Sequence, residues 1–146
     1  MIALIQRVST AHVEVDGEVV GRINEGLLAL VALEAADGEP QIVRMLQRLL
    51  GYRVFPDEQG RMNRSLTDTG GGLLLVSQFT LAADTSSGMR AGFSGAASPE
   101  LAERGFNRLL ELARAVHPTV ESGRFRTHMK VHLVNDGPVT FHLTSR

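Results

Sequence analysis

With 146 residues, 43% of them hydrophobic and 21% charged, the chain suits one folded domain able to bury a sizeable core, which argues against disorder. A formal net charge of −1 excludes a protein that coats nucleic acid through bulk electrostatics, so any RNA contact must be local. The absence of cysteine excludes disulfides, a thiolate nucleophile and Cys-based zinc or iron–sulfur sites, and fits an intracellular protein.

Met1–Arg7 has no charged n-region and no small-residue cleavage site after it, and no apolar run approaches spanning length. A cytoplasmic, non-membrane protein with one domain over residues 1–146 is expected. Of the 15 basic residues only Lys130 is a lysine; arginine's planar fork suits phosphate and carboxylate recognition, and codon bias explains the excess equally well.

Residues 2–15 read as a strand, ending in the alternation of Val13 and Val15 with His12 and Glu14. Asp16-Gly17 turns the chain, Val19, Val20 and Ile23 resume the pattern, and Asn24-Glu25-Gly26 leads into the apolar run Leu27–Leu33, so a β-meander is expected. From Pro40, Ile42, Val43, Met45, Leu46, Leu49 and Leu50 recur at helical spacing, with Gly51 as the expected C-cap. Tyr52–Phe55 reads as a short strand closed by Pro56–Gly60. Gly70-Gly71-Gly72 reads as a flexible lead into a central strand, Leu73–Leu81.

Residues 82–97, rich in Ala, Gly, Ser and Thr, are expected to form an exposed loop. Ser98 then caps a helix with Pro99 in its first turn and Leu101, Leu109, Leu110, Leu112, Ala113 and Val116 on its apolar face, stopped by His117-Pro118. Two final strands follow. Met129, Val131 and Leu133 alternate with Lys130 and His132, and Val139, Phe141 and Leu143 alternate with Thr140 and His142.

Between them, Asn135-Asp136-Gly137-Pro138 reads as an ordinary hairpin turn, since Asp-Gly is a strong turn signal and proline is tolerated at a strand's first residue. A functional reading stands beside it: a Gly-Pro bond goes cis at little cost and glycine permits close approach, so such a turn can aim carbonyls at a ligand. Strands outnumber helices. The expected fold is α+β, a strongly bent antiparallel or mixed sheet or partial barrel with two main helices packed on it. Its edges and apolar surface favour pairing with a second copy.

Ser77-Gln78-Phe79-Thr80 gathers two hydroxyls and an amide at the end of an apolar strand, just before the loop. Ser77 and Phe79 would share one face and Gln78 and Thr80 the other, so the hydroxyls act together only if the strand bends or ends there. The alternative is that both hydroxyls bond neighbouring backbone while Phe79 fills the core. A serine hydrolase lacks support, because no Gly-x-Ser-x-Gly elbow surrounds Ser77. His128 and His132 have i, i+4 spacing on an apparent strand, where they do not converge on a metal, so none is expected. Neither Gly-x-Gly-x-x-Gly nor the P-loop pattern occurs.

With these segments in hand, the chain resembles the D-aminoacyl-tRNA deacylase family along essentially its whole length. The matching stretches are Met1–Val8, Leu50–Phe55, Ser77–Thr85, Gly88-Met89-Arg90, Phe93-Ser94 and Leu133–Phe141. The order and separation of Ser-Gln-Phe-Thr and Asn-x-Gly-Pro-Val-Thr are highly specific. The resemblance implies hydrolysis of the ester joining a D-amino acid to the terminal adenosine of tRNA, clearance of mischarged glycine, and no metal or organic cofactor. It implies a homodimer in which Gly137-Pro138, in cis, enters the active site of the other subunit.

It further implies that Ser77, Gln78, Phe79 and Thr80 form the catalytic segment, with main-chain N–H groups near Phe79 as oxyanion donors and the ribose 2′-hydroxyl assisting water. Thr80 as nucleophile is the less favoured alternative. Gly137, Pro138 and Asn135 would face substrate, Arg7 and Met129 would support the turn and line the pocket, and Phe93 and Arg90 would hold the tRNA 3′ end. One departure is local: His128, preceded by Arg126 and Thr127, stands where family members often carry an acidic or small residue. The competing class is a non-catalytic dimer that binds tRNA ends.

Overall fold

β1 (Ile2–Val15) is the spine of the fold in the computed structural model, which describes residues 1–146. One edge pairs antiparallel with β8 (Lys130–Thr144), from Ile2↔Thr144 to Glu14↔Lys130. The other edge is shared: β3 (Gly26–Ala32) covers Ile2 to Val8, and β2 (Glu18–Ile23) covers Ala11 to Val15. β2 and β3 therefore lie end to end along β1. The expected meander is corrected to a single hairpin whose return strand breaks at Asn24-Glu25.

β6 (Gly72–Ser77) adds parallel to β3, and β7 (Val120–Ser122) parallel to β6. Parallel neighbours need a crossover, which α1 (Glu39–Gly51) and α3 (Pro99–Val116) supply. The sheet is thus mixed and strongly bent with two main helices on it, the α+β architecture expected. Its curl brings β2 across to β6 and β7.

The largest difference from expectation lies at the C-terminus. The two final strands are one strand, β8, and Asn135–Thr140 is not a hairpin turn but a bulge within it. Gln6 pairs with Thr140 and Val8 with Asn135, so two steps along β1 correspond to five along β8, which leaves three extra residues opposite Arg7. The chain does not reverse there because β1 offers a partner for both halves. Pro138, which has no N–H, sits where the ladder is already interrupted.

A second irregularity, between Val8 and Thr10, shifts β1 by one residue against β8. A one-residue slip sends side chains to the opposite face. Ala3 and Ile5 accordingly join the larger core beneath the helices, whereas Ala11, Val13 and Val15, of the same parity, join a second core with Leu28, Leu74 and Val76 inside the curl.

α1 buries Ile42, Met45, Leu46 and Leu49, and α3 buries Ala102, Phe106, Leu109, Leu110 and Ala113. Ser98 Oγ accepts the Leu101 N–H (3.2 Å), as a cap should. Gly51 is still helical: the cap of α1 is Tyr52, extended at φ −68. At the far end of α3, buried His117 donates through Nε2 to Gly71 O (2.6 Å). β4 (Phe55–Pro56) and β5 (Met62–Arg64) form a small separate hairpin, placed slightly later than the Tyr52–Phe55 pattern suggests.

A short helix, α2 (Leu66–Thr69), escapes the periodicity argument although its signal is present. Ser65 Oγ accepts the Asp68 N–H (3.1 Å) while the Ser65 N–H donates to the Asp68 carboxylate (2.8 Å), a reciprocal cap. Gly70-Gly71-Gly72 is likewise no flexible lead. Gly70 ends α2 at φ +70, and a Cβ on Gly26 would run into the Gly72 carbonyl. Backbone meets backbone at that point, so nothing can rotate aside. Gly26→Ala is expected to lower the unfolding free energy by about 3 kcal/mol, read from urea titration against the native chain. No helix is long and apolar enough to cross a membrane.

Candidate active site at the end of β6

β6 is buried through Val76 because it lies between β3 and β7 and under both cores. It ends at Ser77, short of the Leu81 expected. The Gln78 N–H still donates to Val31 O (2.7 Å), and Phe79–Ala82 then forms a 3₁₀ turn. Ending the strand removes the alternation that separates Ser77 from Thr80. Gln78 Nε2 donates to Thr80 Oγ1 in a short hydrogen bond. As the first residues of the turn, Phe79 and Thr80 present N–H groups with no acceptor inside it.

A cavity of about 410 Å³ opens beside this strand end. Val76, Ser77, Gln78 and Phe79 form one wall, Ala97, Pro99 and Ala102 at the start of α3 another, and Phe125–Met129 with Val131 the third. Thr80 is exposed on the turn and is not part of the lining. No carboxylate lines the cavity, whose titratable side chains are Arg126 and His128. Phe79 is 60% exposed and leans on Phe93, with ring centroids 5.2 Å apart. The two rings form an exposed aromatic pair beside the cavity.

Met129 belongs to this wall because Gly123 makes room for it: a Cβ on Gly123 would stand 2.6 Å from Met129 Sδ. Phe125, Arg126, Thr127 and the first residues of α3 are lining residues that the motif argument did not select as site residues. Phe125 follows no periodic pattern, so Gly123 was the one local signal.

Loop residues 84–92 are closed at the neck by paired backbone bonds between Asp84 and Gly92, 2.7 and 3.0 Å. Hydrogen bonds from Ser86, side chain first and backbone N–H second, hold the Asp84 carboxyl below the usual carboxylate range. Met89 and Arg90 are exposed on this loop, and Arg90 forms no ion pair with a carboxylate of the chain.

The remaining candidates form a second cluster at the β8 bulge, outside the cavity lining. Gly137-Pro138 is cis, Gly137 takes φ +135, and Asp136, Gly137 and Pro138 are all exposed. Arg7 braces the bulge from β1: its Nε donates to Asp136 O (3.0 Å) and its Nη1 to Val54 O (2.7 Å). Asn135 ties the two ends together, its Oδ1 accepting the Val139 N–H (3.1 Å) and its Nδ2 donating to Thr140 Oγ1 (2.9 Å). The bulge is a held shape presented outward.

His132 stacks on His12, its cross-strand partner, at 4.2 Å and lies 3.8 Å from the Glu14 carboxylate. Burial, then His132 and Arg22, push the His12 imidazole below its ordinary pKa. This group is not part of the cavity lining, and Arg22 and Lys130 flank it in register.

The family model described as D-Tyr-tRNA(Tyr) deacylase matches residues 4–144. A D-aminoacyl-tRNA deacylase of Stenotrophomonas maltophilia is 69% identical over 98% of this chain and 99% of its own length. One from Alkalilimnicola ehrlichii is 66% identical over 100% of this chain and 97% of its own length. A solved structure titled c-Myc DNA Unwinding Element Binding Protein superposes with a TM-score of 0.96 at 36% identity, covering 100% of this chain and 99% of that one. A probable eukaryotic D-amino acid tRNA deacylase shares the fold, with a TM-score of 0.76 at 18% identity over 97% of this chain and 98% of that one. By sequence over nearly its whole length, the chain belongs to the D-aminoacyl-tRNA deacylase family.

Proposed function

We propose that this protein hydrolyses the ester bond of D-aminoacyl-tRNA, and of mischarged glycyl-tRNA, releasing free amino acid and tRNA. The observation that carries the reading is the match to relatives bearing the deacylase name over 98–100% of the chain. The cavity at the end of β6 supports it, because Ser77, Gln78 and Phe79 meet there. In the reaction, the opening N–H groups of the 3₁₀ turn receive the carbonyl oxygen as it gains charge. Gln78 and Thr80 position the ester, and the ribose 2′-hydroxyl orients the attacking water. No acyl-enzyme forms on Ser77 or Thr80.

Handedness is set by exclusion. The bare backbone of Gly137-Pro138, supplied by a second copy of the chain, stands where an L side chain would project, while hydrogen or a D side chain clears it. A site that excludes by backbone alone does not refuse glycine. Two observations favour a dimer: β8 is a 15-residue strand that pairs only with β1, leaving one edge open, and the bulge lies outside its own chain's cavity. The expected partners are therefore the 3′ end of an aminoacyl-tRNA and a second copy.

The test is release of amino acid from matched D- and L-aminoacyl-tRNAs. Only the D ester and glycyl-tRNA should be cleaved; equal cleavage of both hands would refute the reading, and saturable binding without cleavage would favour a tRNA-end binder. Thr80→Ala should lower kcat about 10-fold with tRNA affinity retained, as measured by single-turnover hydrolysis beside filter binding.

A further inference from the structure

We propose that Arg126 forms a phosphate-binding site at the mouth of the cavity, for the internucleotide phosphate on the 5′ side of the terminal adenosine. The proposal rests on the reading of this cavity as the seat of an aminoacylated tRNA end.

Four observations converge on it. Arg126 is the one permanently charged side chain in the lining, and the lining holds no carboxylate to compete for it. It is exposed, and none of the chain's ion pairs involves it. An arginine left without a partner beside a carboxylate-free cavity is suited to an incoming anion, and its fork matches a phosphate bidentately.

Its backbone is also specified. Arg126 takes φ +58, a left-handed conformation that a residue with a side chain adopts at a cost, so the surrounding turn must impose it. Thr127 Oγ1 donates to Arg124 O (2.9 Å) across the turn, and Phe125 packs its ring against Phe106 of α3, with centroids 6.4 Å apart. The base of the Arg126 side chain is thereby fixed to the helix that forms another cavity wall.

The size of the cavity completes the argument. A volume of about 410 Å³ lies at the lower end of the range for small-molecule sites, room for a nucleoside with its amino acid and little more. The phosphate leading to the rest of the tRNA must then emerge toward solvent, where Arg126, both exposed and part of the lining, can meet it. A chain with a net charge of −1 gains nothing from bulk attraction to RNA, so one placed cation has a measurable share of the salt dependence.

The test compares D-aminoacyl-tRNA with D-aminoacyl-adenosine, which carries no phosphate. Arg126→Gly accepts φ +58 without strain, so its effect reports the lost guanidinium, and Arg126→Lys keeps the charge but not the fork. Arg114→Ala, about 18 Å farther along α3 than Ala102, controls for net charge. Arg126→Gly should raise KM for the tRNA about 10-fold with kcat held, and flatten the log–log salt slope by about one. On the adenosine ester it should change kcat/KM less than about 2-fold, and Arg126→Lys should recover part of the loss on tRNA.

An unchanged salt slope, an equal loss on both substrates, or an equal effect of Arg114→Ala would overturn the proposal. Wild-type protein that cleaves neither substrate would instead overturn the deacylase reading beneath it.

Discussion

Gly137→Ala is expected to lower kcat/KM for D-aminoacyl-tRNA by at least about 100-fold while the chain still folds. A Cβ at this position would stand 2.7 Å from Val139 Cγ2, 3.0 Å from the Val139 backbone nitrogen and 3.2 Å from Arg7 Nη2. Gly137 also takes φ +135, which a residue with a side chain rarely accepts. The bulge must therefore change shape, and with it the position of the backbone to which the proposed discrimination between hands is assigned. Because Asp136, Gly137 and Pro138 are exposed and the nearest atoms to the new methyl group belong to Val139 and Arg7, the damage is expected to stay local. Steady-state deacylation beside circular dichroism melting checks it. A variant with normal activity and unaltered D/L selectivity would contradict the role given to this turn.

Arg7→Ala should cost about 30-fold or more in kcat/KM, and Arg7→Lys should not restore it. The guanidinium spans two carbonyls, Asp136 O on the bulge and Val54 O across from it, at 3.0 and 2.7 Å. An ammonium has no planar fork with which to bridge both. The 3.7 Å approach of Arg7 Nε to the Asp136 carboxylate adds little, since Asp136 is 61% exposed and such pairs are screened. Asp136→Asn should accordingly leave activity within about 2-fold, and a large loss there would show that charge, not the backbone brace, holds the turn.

The elements whose signals are local were legible. β1, α1 and α3 follow from alternation and helical spacing, and the Ser98 cap sits where its sequence places it. What failed depended on partners distant in the chain. Asn135–Pro138 has the chemistry of a hairpin turn, and only the pairing of β8 with a strand some 130 residues earlier turns it into a bulge. Similarly, nothing near Asn24 shows that β2 and β3 both spend their hydrogen bonds on β1. The glycines at 70–72 read as slack because the groups that leave no room for a Cβ on Gly71 and Gly72, the Glu25 carbonyl and the Ile23 side chain, come from a distant part of the chain.

The candidate site divides the same way. Ser77–Thr80 stood out as polar groups at an apolar strand's end, and the strand does stop at Ser77. The wall from Phe125 to Met129 is irregular backbone without periodicity, and its place beside Phe79 is fixed by α3 and Gly123 rather than by its own pattern. The pairing of the strand end with the Gly-Pro segment came from family resemblance. Within one chain, the two clusters share no lining residue.

That separation gives the most direct test of the central idea that two chains complete each site. Gly137→Ala damages the turn, and a Gln78→Ala, Thr80→Ala double variant damages the pocket, so each homodimer should be nearly inactive. A mixed dimer, refolded from both and isolated through two different affinity tags, then holds one site with both defects and one with neither. It should recover about half the wild-type rate. A mixed dimer as inactive as its parents, or a fully active protein shown to be monomeric, would contradict the account.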